Sequence, residues 1–214
     1  TGMVGKALEG FLRMRGHQIR RVTRNPRRPE DVKWDLDAMT IDLDKDDQID
    51  AVIHLAGENI AAGRWSEERK QRILESRRKG TRLIAESISL LESPPKVLIS
   101  VSGVNYYRQS TAEPQDEKSE QGSSFLSEVC EVWEQETSAA EKAGIRVAKL
   151  RMGIVLSPAG GALGKMLPAF QLGLAGPLGS GTQRMAWIAL DDVIDILNRA
   201  LHDDASSGVR NLVA

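Results

Sequence analysis

Thr1-Gly2-Met3-Val4-Gly5, running without a break into Lys6-Ala7-Leu8-Glu9-Gly10-Phe11-Leu12, is the stretch on which the reading of the chain turns. Val4, Leu8, Phe11 and Leu12 recur at helical spacing, and Gly16 stands where a helix-terminating glycine is expected. A glycine turn feeding a helix leaves backbone N–H groups without acceptors at the positive end of the helix dipole, which suits a pyrophosphate. The dinucleotide fingerprint sets a strand and one more glycine ahead of such a turn, so the sequence is expected to open inside the motif, without the first strand. A plain structural turn uses the same two glycines, and the residues downstream have to separate the two readings.

Downstream, Gln18-Ile19-Arg20-Arg21-Val22-Thr23 reads as a short strand closed by Arg24-Asn25-Pro26. In a Rossmann unit the end of the second strand meets the adenosine ribose: an acid there takes the free 2′-hydroxyl, an arginine a 2′-phosphate. Here Arg24 is flanked by Arg21 and Arg27, and no acid follows until Glu30. Guanidinium matches phosphate geometry and is always charged, so the segment predicts NADP rather than NAD. The other reading is a solvated basic loop.

Apolar strands then alternate with amphipathic helices. Ala51-Val52-Ile53-His54-Leu55 reads as a buried strand, residues 66–91 as a long helix stopped by Ser93-Pro94-Pro95, and residues 96–101 as the next strand. Residues 108–124 form a polar, acidic loop; residues 125–143 read as a helix ending at Gly144, and residues 146–151 as a strand. Strands separated by helices imply right-handed crossovers and a parallel sheet, hence an α/β, Rossmann-type doubly wound fold. From about residue 156 the chain turns glycine-rich around Leu163, Met166, Leu167, Phe170 and Leu172, a pattern that suits a pocket wall as well as a set of tight turns. Residues 187–193 open a last helix, with Asp191 as its cap and Trp187 in the core, and residues 209–213 close with a strand. The expected division is a dinucleotide-binding core over 1–155, part of a small, truncated substrate lobe over 156–185, and a return to the core over 186–214, with the remainder of a C-terminal substrate domain not included.

Composition narrows the function classes. The 214 residues carry a net charge of -1, which argues against a general nucleic-acid binder. One cysteine, Cys130, excludes an intramolecular disulfide, and His17, His54 and His202 show no metal-ligand spacing. No apolar run approaches the ~20 residues of a membrane span, and the expected location is cytoplasmic.

Six stretches carry a family resemblance: TGMVGKAL (1–8), HLAGENIAAGRW (54–65), ISVSGVNYY (99–107), FLSEVCEVWE (125–134), LRMGIVLSPAGGALGKMLPAFQLGLAGPLGSGTQ (150–183) and WIALDD (187–192). On them the chain resembles the extended short-chain dehydrogenases/reductases of nucleoside-diphosphate-sugar epimerase type, within the atypical SDR39U1-type subgroup, some of whose bacterial members carry a cell-division label. The resemblance implies NADP(H) as cofactor, a small-molecule substrate such as a nucleotide sugar, and a homodimer through the long helices. Carried over by position, Thr1, Gly2 and Gly5 would hold the pyrophosphate and Arg24 the 2′-phosphate. Leu55, Ala56 and Gly57 would border adenosine and ribose. Ser102 and Tyr106 would serve catalysis, and Glu58, Asn59, Lys165 and Gln183 would face substrate.

The departures are as informative. The superfamily sets a Tyr-x-x-x-Lys pair on one helix turn, the lysine lowering the tyrosine pKa for proton exchange with a carbonyl or alcohol. The corresponding Phe125-Leu126-Ser127-Glu128-Val129-Cys130 supplies neither residue. Tyr106 and Tyr107 are then the nearest proton donors, with Lys165 and Glu58 behind them; a buried structural tyrosine is the alternative. The family's Gly-Tyr-Tyr-Gly becomes Asn105-Tyr106-Tyr107-Arg108, and its Trp-Ile-His-x-Asp-Asp becomes Trp187-Ile188-Ala189-Leu190-Asp191-Asp192. Cys130, with no histidine beside it, reads as a small buried apolar residue. Arg64, Lys70 and Arg77 could line an anionic site or form a solvated helix face. Two functions follow: an NADP-dependent oxidoreductase or epimerase, and a non-catalytic NADP-binding regulator.

Overall fold

In a computed structural model, residues 2–108, 113–177 and 179–214 are described. The elements are α1 (Met3–Met14), β1 (Val22–Thr23), β2 (Val32–Asp35), β3 (Thr40–Ile41), β4 (Ala51–His54), α2 (Glu67–Ser89), β5 (Val97–Gly103), a 3-10 turn (Val104–Tyr106), α3 (Phe125–Gln135), α4 (Ser138–Lys142), β6 (Arg146–Met152), β7 (Ile154–Ser157), α5 (Gly161–Gln171), β8 (Trp187–Ala189), α6 (Leu190–His202) and β9 (Gly208–Leu212). β4, β5, β6 and β9 hydrogen-bond in that order, all parallel. β1 pairs parallel with β2, β2 antiparallel with β3, and β7 parallel with β8.

β5 explains why the sheet is covered on both sides. Its run Val97-Leu98-Ile99-Ser100-Val101 is buried throughout, as a strand with both faces packed must be. Val97, Ile99 and Val101 face one way and pack with Leu8 and Leu12 of α1 and Val193 and Leu197 of α6. Leu98 faces the other way, against Leu83, Ile84 and Ile88 of α2 and Ala140 of α4. The period-two side-chain alternation thus divides the core into two apolar layers, and the fold is doubly wound as the sequence predicts.

Local signals place the helices. Ser66 caps α2 by accepting from the Arg69 N–H at 3.3 Å, with Glu67 and Glu68 in the first turn where the dipole favours acids. Gly16, at φ 86°, ends α1 as anticipated. His17, just after α1, stacks on His202 at the end of α6 with ring centroids 5.9 Å apart. α6 leads into β9, so these two C-termini lie at the amino edge of the sheet. The N-terminus of α1 is thereby carried to the carboxyl edge.

Four expectations are corrected. The 18–23 strand shrinks to Val22–Thr23, the residues in register with Val32 and Lys33 of β2. The 125–143 helix breaks into α3 and α4: the buried Thr137 donates its hydroxyl to the Glu134 carbonyl at 2.8 Å and turns the chain there. Trp187 begins a strand paired with Ile154 and is 41% exposed, while its neighbour Ile188 takes the core position. Asp191 lies inside the first turn of α6 rather than capping it; Ala189 holds the cap position, and Asp191 and Asp192 complement the dipole.

Candidate functional site

The glycine turn has the geometry of an anion cradle. Gly2 is the N-cap of α1, extended at φ -76° and ψ 178°, and no side chain caps the helix. A Cβ built on Gly2 would meet nothing within 4 Å among the described residues. The Met3 thioether lies against Gly160 and Gly161, bringing the start of α5 beside the start of α1. Gly5 sits in the first turns of α1; Thr1 lies outside the described residues.

After β1 the basic residues sort themselves by partner. Arg21 grips Asp31 with Nε and Nη2, each at 3.1 Å, and Arg28 and Arg13 donate to Glu9 at 2.9 and 3.1 Å. Arg21 holds the Asp31 carboxyl down at about 2, with the Arg27 and Arg28 backbone N–H groups adding to it. Arg24 and Arg27 are exposed and make no ion pair among the described residues.

The segment after β4 is organised by α2. Leu55, Ala56 and Gly57 follow His54 directly, and the Glu58 N–H donates to Ser76 Oγ at 3.0 Å. Arg77 donates Nη1 to the carbonyls of Glu58 and Ile73, both at 3.1 Å, and its guanidinium lies 4.7 Å from the Trp133 ring centroid. The guanidinium carbon stands 3.0 Å from where a Cβ on Gly57 would be, so any side chain there would press the guanidinium aside. Arg77 is half-buried, burial lowers its pKa, and it pairs with no carboxylate among the described residues. Asn59 spends its side chain on the Ala61 N–H at 2.9 Å, and Arg69 reaches both the Asn59 carbonyl and, at 3.9 Å, the Glu58 carboxylate.

The carboxyl ends of β5 and β6 share a buried ion pair that sequence reasoning missed. Arg151 donates Nε and Nη2 to Glu134 at 2.8 and 2.7 Å, and Ser102 donates its hydroxyl to the same carboxylate at 2.7 Å. The Arg151 guanidinium lies 3.4 Å from the Tyr106 ring centroid and 4.9 Å from that of Tyr107, whose hydroxyl donates to Asn211 at 2.6 Å. Ser102 and Tyr106 are therefore brought together through Arg151 and Glu134. A signal was present: Glu134 continues the Cys130 stripe of α3 at i+4, and Arg151 is a charge set between Leu150 and Met152 near the strand's end.

Other residues stay apart. Lys165 is exposed on α5, which buries no residue, and Gln183 lies against Gly179. Lys70 pairs with Glu67 at 2.7 Å, and Arg64 is exposed. Cys130 is buried, and burial pushes its thiol up to about 11, which leaves it inert as a nucleophile. No group of three metal-ligating side chains exists among the described residues, and no helix among them is long and apolar enough to cross a membrane.

A parallel sheet wound on both faces, with a glycine helix start at its carboxyl edge, defines an α/β protein of Rossmann type. The chain belongs to the NAD dependent epimerase/dehydratase family, which it matches over residues 1–212. It is 40% identical over 220 residues to the human epimerase family protein SDR39U1, covering 100% of this chain and 72% of that protein. It is 37% identical over 213 residues to epimerase family protein Mb2239 of Mycobacterium bovis, covering 99% and 70%. Among solved structures, human SDR39U1 (isoform 2) with NADPH superposes with a TM-score of 0.88 at 37% identity, over 100% of this chain and 71% of that one. The nucleoside-diphosphate sugar epimerase from Corynebacterium glutamicum gives 0.85 at 36%, over 100% and 44%.

His54 generates a stability prediction. It is buried at the end of β4, edge-on to Trp34, and Nε2 finds no partner. Burial, aided by the Arg77 cation, lowers its pKa from 6.5 to about 4. The unfolded chain therefore binds the extra proton first as pH falls. The resulting stability is complete above about 6.5 and lost by about 4, a difference of about 3 kcal/mol at most. Urea denaturation at pH 7 and pH 4.5 should show a shallower pH dependence in His54→Leu than in the parent. Equal slopes would contradict the assignment.

Proposed function

We propose that the protein binds NADP(H) along the carboxyl edge of its sheet and is an NADP-dependent oxidoreductase or epimerase acting on a nucleotide sugar or related small molecule. The observation that carries this reading is the pair of unbalanced cations: Arg24, unpaired after β1, and Arg77, half-buried against Trp133 with no carboxylate partner. Burial disfavours the Arg77 cation and the Glu58 charge offsets this only in part, while the coenzyme brings several phosphate charges. The described residues fit the group: uncapped amides at Gly2, a guanidinium at the end of β1, and a glycine at position 57 that a side chain would close.

The residues divide the work. Thr1, Gly2 and Gly5 present backbone to the pyrophosphate, Arg24 takes the 2′-phosphate, and Leu55, Ala56 and Gly57 border adenosine and ribose. Bound nicotinamide supplies or accepts the hydride. Tyr106 exchanges the proton, and Arg151, 3.4 Å from its ring centroid, holds that ring in place. Ser102 accepts a substrate hydrogen bond while its own hydroxyl donates to Glu134. Glu58, Asn59, Lys165 and Gln183 face substrate. The protein works in the cytoplasm, as a homodimer, with no nucleic-acid or membrane partner.

A second reading, a non-catalytic NADP-binding regulator, draws on Phe125, Val129 and Cys130 standing where the proton relay belongs. Both readings share the cofactor, so binding is tested first. By calorimetry NADPH should bind more tightly than NADH, and Arg24→Ala should remove the preference. Equal affinities in the parent protein would remove the argument. For chemistry, NADPH turnover against a panel of sugar nucleotides and ketones should fall at least about tenfold in Tyr106→Phe, the lower end of general-acid contributions. Unchanged turnover would move the proton donor elsewhere.

A further inference from the structure

We infer that Asp31 is a positioning residue for coenzyme choice: it closes the arginine-rich turn after β1 so that Arg24 and Arg27 face outward toward the 2′-phosphate. The inference rests on the NADP(H) reading above and deepens it. An acid near the end of this strand ordinarily takes the ribose hydroxyls and favours the unphosphorylated coenzyme. Asp31 lies beyond the turn, immediately before β2, and its carboxylate is spent on the protein. Its side chain is 1% exposed and accepts four hydrogen bonds: Arg21 Nε and Nη2, each at 3.1 Å, the Arg27 N–H at 2.9 Å and the Arg28 N–H at 3.2 Å.

Each bond has a consequence for the turn. The two backbone bonds fix the chain at Arg27 and Arg28, drawing residues 24–28 into a closed loop over the carboxylate. The Arg21 fork ties that loop back to the strand, and Arg21 also approaches Glu9 at 3.9 Å. Arg28 is drawn the same way, to Glu9 at 2.9 Å. The Asn25 N–H on Thr23 Oγ1, at 3.3 Å, fixes the opposite limb. Glu9, Glu30 and Asp31 thus pair with Arg13, Arg21 and Arg28, and Arg24 and Arg27 remain as outward cations on a preshaped loop. A rigid loop presents guanidinium forks to a phosphate without first having to be ordered.

Positioning and simple charge make opposite demands, which allows a decisive test. Asp31→Ala removes a negative charge and Arg21→Ala a positive one. If charge alone mattered, NADPH affinity would rise in the first and fall in the second. If Asp31 positions the loop, both variants lose NADPH affinity by about tenfold, as expected for a lost charge-assisted hydrogen bond. Both keep NADH affinity, and the double variant is no worse than either single one. NADH affinity serves as the control for an intact fold.

The measurement is calorimetry with NADPH and NADH on the parent, the two single variants, the double variant, and Asp31→Asn as the isosteric check. Asp31→Asn should fall between parent and Asp31→Ala, because its remaining oxygen still accepts a backbone N–H. A rise in NADPH affinity in Asp31→Ala, an unchanged NADPH-to-NADH ratio, or equal loss of both coenzymes would each overturn the inference. A parent protein without NADPH preference would instead overturn the functional reading on which it rests.

Discussion

A strand cannot be followed directly by a parallel neighbour; the chain has to recross the sheet, and the crossing is right-handed. In this protein that constraint does most to make a site. β4, β5, β6 and β9 run the same way, so the segments leaving β4, β5 and β6 emerge at one edge. The alignment of α1 with α6, visible in the stacked His17 and His202, brings the uncapped start of α1 to that edge too. Helix starts carry positive partial charge, and Arg77 adds a desolvated guanidinium beneath Gly57. The edge is positive because of the winding as much as because of the side chains.

At the edge's centre lies a buried ion pair. The α3 helix beside it carries Phe125, Val129 and a Cys130 thiol that burial holds at about 11. The cation nearest a tyrosine comes from β6: Arg151, fixed by Glu134. A buried ion pair of this kind adds little to stability, because desolvation offsets the Coulomb attraction, but losing one partner strands the other. Its value here is geometric. One carboxylate fixes Ser102 and Arg151, and Arg151 in turn fixes the two tyrosine rings.

What was legible in the sequence follows from range. The winding was readable because strand and helix periods are local, and the run 97–101 could only be a strand buried on both faces. The helix start after Gly2 was readable because glycine punctuation and helical spacing are local signals too. The break at Thr137 was missed because it depends on one buried hydroxyl meeting a carbonyl, and Trp187 because pairing with β7, not apolarity, decides its face. Glu134, Asn211 and Asp31 were missed for a related reason. Their partners lie 17, 104 and 10 residues away, and only folding shows which arginine or tyrosine each one meets.

The central claim is that a phosphorylated nicotinamide dinucleotide lies along this carboxyl edge. Hydrogen exchange of the protein with and without saturating NADPH reads that edge directly. Protection should appear together in segments 2–6, 23–28 and 55–59 and around residue 77, and should leave 143–146 and 203–207, at the amino edge, unchanged. Protection confined to the amino edge, or none at either, would contradict the account.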